Sequence, residues 1–149
     1  MIDTTIILTQ KIKDADAKID FTLELTAEQR SKPRQRLELP DGKVVHLQLP
    51  RNSHLHAQDC LQTENQNLTV QILAKAEPVV TVKSGDRLAL LKAAYHLGNR
   101  HVPLEVKLEY LRFAPDHVLE KMLENLDVEV CHETAPFFPE HGAYGGHHH

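Results

Sequence analysis

The run Ala94-Tyr95-His96-Leu97-Gly98-Asn99-Arg100-His101-Val102-Pro103-Leu104-Glu105 decides how this chain is read. A helical apolar pattern ends within it, Gly98-Asn99 supply a helix stop, and an extended pattern begins at Val102. His96 and His101 stand on either side of that stop. Set five residues apart across a helix end, they are not the stacked i, i+4 pair with which a single helix grips zinc. His101 is expected to be thrown clear of the helix, where it can meet a donor from elsewhere in the chain or from a second copy.

Outward from this run, the pattern predicts a strand over 79–82, a turn at Ser84-Gly85, a helix over 86–97 and a strand over 102–110. A further strand, or its continuation, over 111–113 follows, then a helix over 115–126 and a strand over 128–132. This βαββαβ order is the ferredoxin-like split motif, in which two helices cover one face of a four-stranded antiparallel sheet. Leu88, Leu91, Ala94 and Tyr95 are expected to be the buried stripe of the first helix, and Val118, Leu119, Met122, Leu123 and Leu126 that of the second. His117 falls on the exposed side of the second helix with Lys121 and Glu124.

The first half has a different rhythm. Residues 4–8 read as a short strand, Ile19, Phe21, Leu23 and Leu25 alternate as one face of another, and 68–73 form a third. Asp41-Gly42 between two alternating runs predicts a hairpin. In His54-Leu55-His56 two imidazoles share one side of an extended chain, but without further ligands they read as exposed strand histidines. Arg30, Lys32, Arg34 and Arg36 form a basic run around Pro33, which reads first as solvated surface. The change of pattern at Lys75-Ala76-Glu77-Pro78 marks a boundary. The expected architecture is therefore α+β: a small all-β domain over 1–75, a ferredoxin-like domain over 76–140 and a flexible tail over 141–149.

Composition narrows the function. No apolar run of the 149 residues is long enough to cross a bilayer, and the first residues lack the basic region and cleavage site of a secretory leader, so a cytoplasmic location is expected. A formal net charge of −4 argues against a dedicated nucleic-acid binder. Cys60 and Cys131 form no Cys-x-x-Cys pair and read as inert thiols. Histidine is the outlier, with eleven in the chain. Its chief roles at neutral pH are metal ligation and proton switching. Three of the eleven, His147, His148 and His149, close a glycine-rich segment that also contains His141. As a tag remnant the trio would carry no function. As a native tail it would bind nickel and copper more readily than cobalt and zinc.

Two other function classes compete. Asn99-Arg100 beside such a sheet could hold phosphate in a small acyl phosphate hydrolase, with His101 as acid or base, but neither a nucleophile nor a glycine-rich phosphate cradle accompanies them. An RNA-binding module would need paired strand aromatics, which are missing.

The 94–103 run, Asp116-His117-Val118-Leu119 followed by Met122-Leu123, and the histidine-ending tail after Pro136-Phe137 together resemble the UreE family of urease accessory proteins, which are nickel metallochaperones. The first half resembles it more loosely, through Glu28-Gln29-Arg30, the alternating basic residues, Asp41-Gly42 and Leu49-Pro50-Arg51. The resemblance implies a β-rich partner-binding domain, for which the basic run would be a docking surface, and a ferredoxin-like metal domain through which two copies join. It implies that His101 is the principal ligand of Ni2+, one from each copy, with Zn2+ or Cu2+ able to substitute in vitro. His117 would bind additional metal, His147, His148 and His149 would be accessory ligands, and His96 completes the motif. The urease accessory GTPase UreG and the urease apoprotein complex are the implied partners. Glu105 stands where the family usually has glutamine, and Ala114-Pro115 replace residues that include a further histidine in some members.

Overall fold

The computed structural model describes residues 5–13 and 18–141, and the chain divides into two compact units, Met1–Ala74 and Lys75–His149. Each is built around its own sheet and its own cluster of buried apolar side chains.

The first unit contains β1 (Thr5–Ile12), β2 (Phe21–Leu25), α1 (Ala27–Arg30), β3 (Arg34–Glu38), β4 (Val44–Gln48), β5 (Cys60–Thr63) and β6 (Thr69–Ala74). The six strands form one sheet in the order β2-β6-β5-β1-β4-β3. Two pairs in it, β1 with β4 and β2 with β6, run parallel. Alternation does the folding work: Leu23 and Leu25 of β2, Val45 and Leu47 of β4, and Val70 and Ile72 of β6 point into one core with Leu8, Leu49 and Leu61. The Asp41-Gly42 hairpin joins β3 to β4, and Gly42 takes φ +90°, which a side chain would resist. The short α1 is set by a capping box at Thr26 and Gln29, where each side chain accepts the other's backbone N–H at 3.2 and 2.9 Å.

In the second unit β7 (Ala76–Lys83) leads into α2 (Arg87–Asn99). Then follow β8 (Glu105–Val106), β9 (Leu111–Phe113), α3 (His117–Leu123) and β10 (Glu129–Pro136). The sheet order is β10-β7-β9-β8, with every neighbouring pair antiparallel. Val80 and Val82 of β7 and Leu111 and Phe113 of β9 pack with Leu90, Ala93 and Leu97 of α2 and Leu119 and Leu123 of α3.

Four expectations need correction. The strand expected over 102–110 is only the two residues of β8: Lys107 donates its N–H to Tyr110 O at 2.9 Å, closing a turn, and the chain returns as β9, the strand expected over 111–113. The second helix is shorter, because Asp116 and not Pro115 opens it, accepting the N–H groups of Val118 and Leu119, and Val118, expected on its buried stripe, is 56% exposed. The last strand runs on to Pro136. Most consequential is the packing of α2. Its buried side is Ala89, Leu90, Ala93 and Leu97, whereas Leu88, Leu91 and Tyr95 are 56, 67 and 68% exposed and Ala94 is partly buried. The helix is apolar nearly all round, so two stripes compete, and small Ala93 on one of them lets the helix approach the valines of β7 closely.

Candidate metal centre

The segment carrying His101 is shaped by the two ends of α2. At its start the Asp86 carboxylate accepts the Leu88 N–H at 3.0 Å, and Ser84 Oγ accepts the Asp86 N–H at 3.0 Å while donating to Asp127 O at 2.7 Å. At its end the expected stop at Gly98 does not occur, because Gly98 and Asn99 are still helical. The chain reverses instead at His101, which takes φ +59° and donates its N–H to Gly98 O at 3.0 Å. A left-handed residue one step past a helix cap is usually glycine, and placing a β-carbon there costs about 1 kcal/mol. Histidine accepts this conformation more readily than most residues. His101 is exposed.

The other sequence-predicted residues lie in distinct places. His96 is in the last turn of α2, exposed, with its ring edge-on to Tyr95 at a centroid distance of 5.2 Å. His117 is the first residue of α3 and is exposed. His147, His148 and His149 lie outside the described residues. Among the described residues, no three histidine, cysteine, aspartate or glutamate side chains are gathered closely enough to hold a metal ion. His96, His101 and His117 are thus not brought together within one protomer. The arrangement suits an ion only if further donors come to His101 from a second copy or from the tail.

Sequence reasoning missed two features. His132 in β10 lies opposite Val80 on the helix-covered face of the sheet, and its Nε2 is 2.5 Å from Glu120 Oε1 of α3. The other feature is a buried carboxylate directly downstream of the His101 loop. Glu105 is 1% exposed. One of its oxygens accepts the Tyr110 hydroxyl at 2.8 Å and lies 3.7 Å from Arg112 Nη1, and the other accepts the backbone N–H of Phe138 at 2.9 Å. Arg112 stacks on the Tyr110 ring at 4.5 Å and donates to Thr81 Oγ1 at 3.0 Å and toward Glu133 at 3.4 Å. The hydrogen bond to Glu105 holds the Tyr110 hydroxyl above its ordinary value of 10.0, with burial reinforcing the shift. On the same network the Thr81 hydroxyl, aided by Arg112, pulls the Glu133 carboxyl below its ordinary value. Phe137 is buried beside this cluster, and Glu140 donates its N–H to Leu104 O at 2.8 Å. The segment leaving β10 is therefore laid along residues 104–105.

The basic run of the first unit is not four free cations. Arg30 is 6% exposed, Lys32 pairs with Glu28 at 3.3 Å, and Arg36 pairs with Glu38 at 2.8 Å. Arg34 donates to Leu49 O at 2.9 Å. His54 and His56 lie in an irregular segment with ring centroids 6.4 Å apart, and not on a strand.

Known proteins match the whole of this framework. The description "UreE urease accessory protein, C-terminal domain" matches residues 77–149, and "UreE urease accessory protein, N-terminal domain" matches residues 4–75. The urease accessory protein UreE of Nostoc punctiforme is 55% identical over 139 residues, covering 93% of this chain and 94% of its own length. That of a Nostoc species is 50% identical over 142 residues (95% and 97%), and that of Citrobacter koseri 44% over 146 residues (95% of each). With both halves matched and relatives this similar end to end, the chain belongs to the UreE family of urease accessory proteins, which serve urease maturation as accessory proteins and are not enzymes.

Proposed function

We propose that this chain is a nickel metallochaperone which carries Ni2+ to the urease active site during its assembly. The observation that carries the reading is the placement of His101: an exposed residue in the left-handed conformation, just past the C-terminal end of a helix whose outer side is an apolar stripe. An exposed stripe of Leu88, Leu91 and Tyr95 favours an isologous contact between two copies, which would bring two His101 rings to one axis. A shared site with few protein donors holds an ion yet leaves positions open for transfer, unlike a closed four-ligand cage. Zn2+ or Cu2+ would occupy the same imidazoles in vitro.

Several finer assignments belong to the same proposal. The strand order and alternation of helices support placing the second unit in the ferredoxin-like class. This unit is the metal domain, with His117, His96 and the tail histidines as auxiliary ligands. The first unit is the partner-binding domain, and the partners are the accessory GTPase UreG and the urease apoprotein complex in the cytoplasm. Among the described residues no helix is long and apolar enough to cross a membrane.

Nickel titration calorimetry paired with light scattering tests the reading. The intact chain is expected to bind one tight Ni2+ per dimer, and His101→Ala to lose that site while keeping the dimer mass. Normal binding by His101→Ala would remove the reading's support.

A further inference from the structure

We infer that His54 and His56 form a metal site of the first unit's own, one that takes a late first-row divalent ion, Cu2+ before Ni2+ and Zn2+. The two imidazoles flank Leu55, which is 4% exposed and belongs to the first unit's core, so a buried leucine holds an exposed histidine on each side of it. The backbone that carries them is anchored along its length. Leu55 donates its N–H to Arg30 O at 3.3 Å, and the Lys11 ammonium donates to His54 O. His56 donates its N–H to Asp59 Oδ2 at 2.8 Å, while Asp59 returns its own N–H to His56 O at 3.1 Å. Gln58, at φ +78°, turns the chain and donates its N–H to Ile72 O at 2.7 Å, which ties the loop to β6. Two imidazoles on a loop pinned in this way are preorganised, and little backbone freedom is lost when they bind. The pair is independent of His101 and of the nickel reading.

Their spacing suits one ion. An imidazole nitrogen binds such an ion at about 2.0–2.1 Å, which puts the ion about 3.2 Å from the ring centroid, so two rings on one ion have centroids no more than about 6.4 Å apart. Those of His54 and His56 are 6.4 Å apart. The rings stand at the outer limit of sharing, and turning either exposed ring toward the other shortens the distance with the backbone left in place. Asp59 supports one of them as a positioning residue. Its Oδ2 lies 3.8 Å from His56 Nδ1, within a small ring rotation of a hydrogen bond, and a carboxylate on one imidazole nitrogen leaves the other to bind the metal. The same carboxylate pairs with Lys11 at 3.3 Å, which offsets the charge of the ammonium that holds His54. With two protein donors, water completes the coordination. Imidazole donors without a thiolate suit copper, nickel and zinc, and copper ranks first among them.

The test uses the full-length chain with every histidine except His46, His54, His56 and His132 replaced by alanine, so that no other imidazoles mask the result. Cu2+ binding is measured by calorimetry in that background and after adding His54→Ala, His56→Ala or Asp59→Asn. One ion per chain is expected, where a site shared at a two-fold axis would take one per dimer. His54→Ala and His56→Ala are each expected to weaken binding by at least about tenfold, since even the support of a ligand is worth that much. Asp59→Asn keeps an acceptor for the His56 N–H but removes the charge, and is expected to weaken binding by about tenfold, the lower end for a residue that supports a ligand. Bound Cu2+ should broaden the ring proton resonances of His54 and His56 before those of His46 and His132. In the unsubstituted chain His54 and His56 should broaden together at one Cu2+ concentration, which carries the test should the background fail to fold. Binding by either His54→Ala or His56→Ala within twofold of the background, or broadening confined to His46 and His132, overturns the inference. Undiminished binding by Asp59→Asn overturns the role given to Asp59. None of these outcomes bears on the nickel reading, which is decided by His101→Ala.

Discussion

The two units treat their apolar side chains differently. Of the ten large hydrophobic residues exposed among those described, Ile7 and Ile19 are in the first unit, and the other eight, from Leu88 to Phe138, are in the second. The first unit closes its core with alternating strands and leaves little apolar surface behind. The second spends one side of α2 on its own sheet and keeps an equally apolar side outward. Exposed apolar surface of that kind costs solubility and is retained where something covers it. The first unit covers its own apolar surface, and the second leaves an apolar side of α2 exposed.

The sharpest way to break this contrast is to truncate one leucine from each stripe of α2. Leu97 is fully buried in the second unit's core, and Leu97→Ala is expected to destabilise that unit by about 2–5 kcal/mol, read from denaturant unfolding. Leu91→Ala should leave unfolding of the monomer within about 0.5 kcal/mol, as surface substitutions do. It should instead raise the dimer dissociation constant by about thirtyfold if Leu91 is a central anchor worth 2 kcal/mol, measured by sedimentation. Equal effects of the two on unfolding would mean that α2 has no distinct outer side.

A second contrast sets His101 against ordinary helix ends. Because the residue sits at φ +59°, His101→Gly should be more stable than His101→Ala by about 1 kcal/mol, while both lose the tight nickel site. That outcome would show that the position keeps an imidazole at the expense of backbone strain. Equal stability of the two would place the strain elsewhere. The matching test in the first unit is Thr26→Ala, which dismantles the capping box of α1 and should cost about 1 kcal/mol there.

Much of this was legible from the sequence wherever one periodicity had no rival. The Asp41-Gly42 hairpin and the alternation of Leu23 and Leu25 each admit one reading, and the structure follows it. Reading failed where two patterns were equally good. Leu88, Leu91 and Tyr95 make as regular a helical stripe as Ala89, Leu90, Ala93 and Leu97, and only the sheet beneath decides between them. Glycine is the usual left-handed residue at a helix end, which points to a stop at Gly98, but the turn falls at His101. The hydrogen bond from Phe138 to Glu105 could not be read at all, since it joins residues 33 positions apart. His101 itself was found by its type and setting. Its fellow donors were not, because donors from the tail or from a second copy leave no local spacing to read.

The smallest expected effect concerns the protons of the buried network, and it separates Glu105 as a charged hydrogen-bond partner from Glu105 as mere packing. The Tyr110 hydroxyl is raised above 10.0 first by its hydrogen bond to Glu105, then by burial and by the charge of that carboxylate. A group whose folded value is raised contributes stability that is full below its unfolded value and is lost as pH rises through the folded one. The Tyr110 contribution is therefore intact at neutral pH and disappears only in alkaline solution, above the ordinary tyrosine range. Glu133 has the opposite sign: its lowered carboxyl contributes above the ordinary glutamate range and loses that contribution as acid protonates it. Glu105→Gln keeps an acceptor for Phe138 but removes the charge, so phenolate absorbance should show Tyr110 titrating closer to 10.0, with the Phe138 N–H still protected in amide hydrogen exchange. An unchanged Tyr110 titration would mean that burial and not Glu105 sets its proton affinity. Loss of protection at Phe138 would mean that the segment after β10 needs the charge as well as the acceptor.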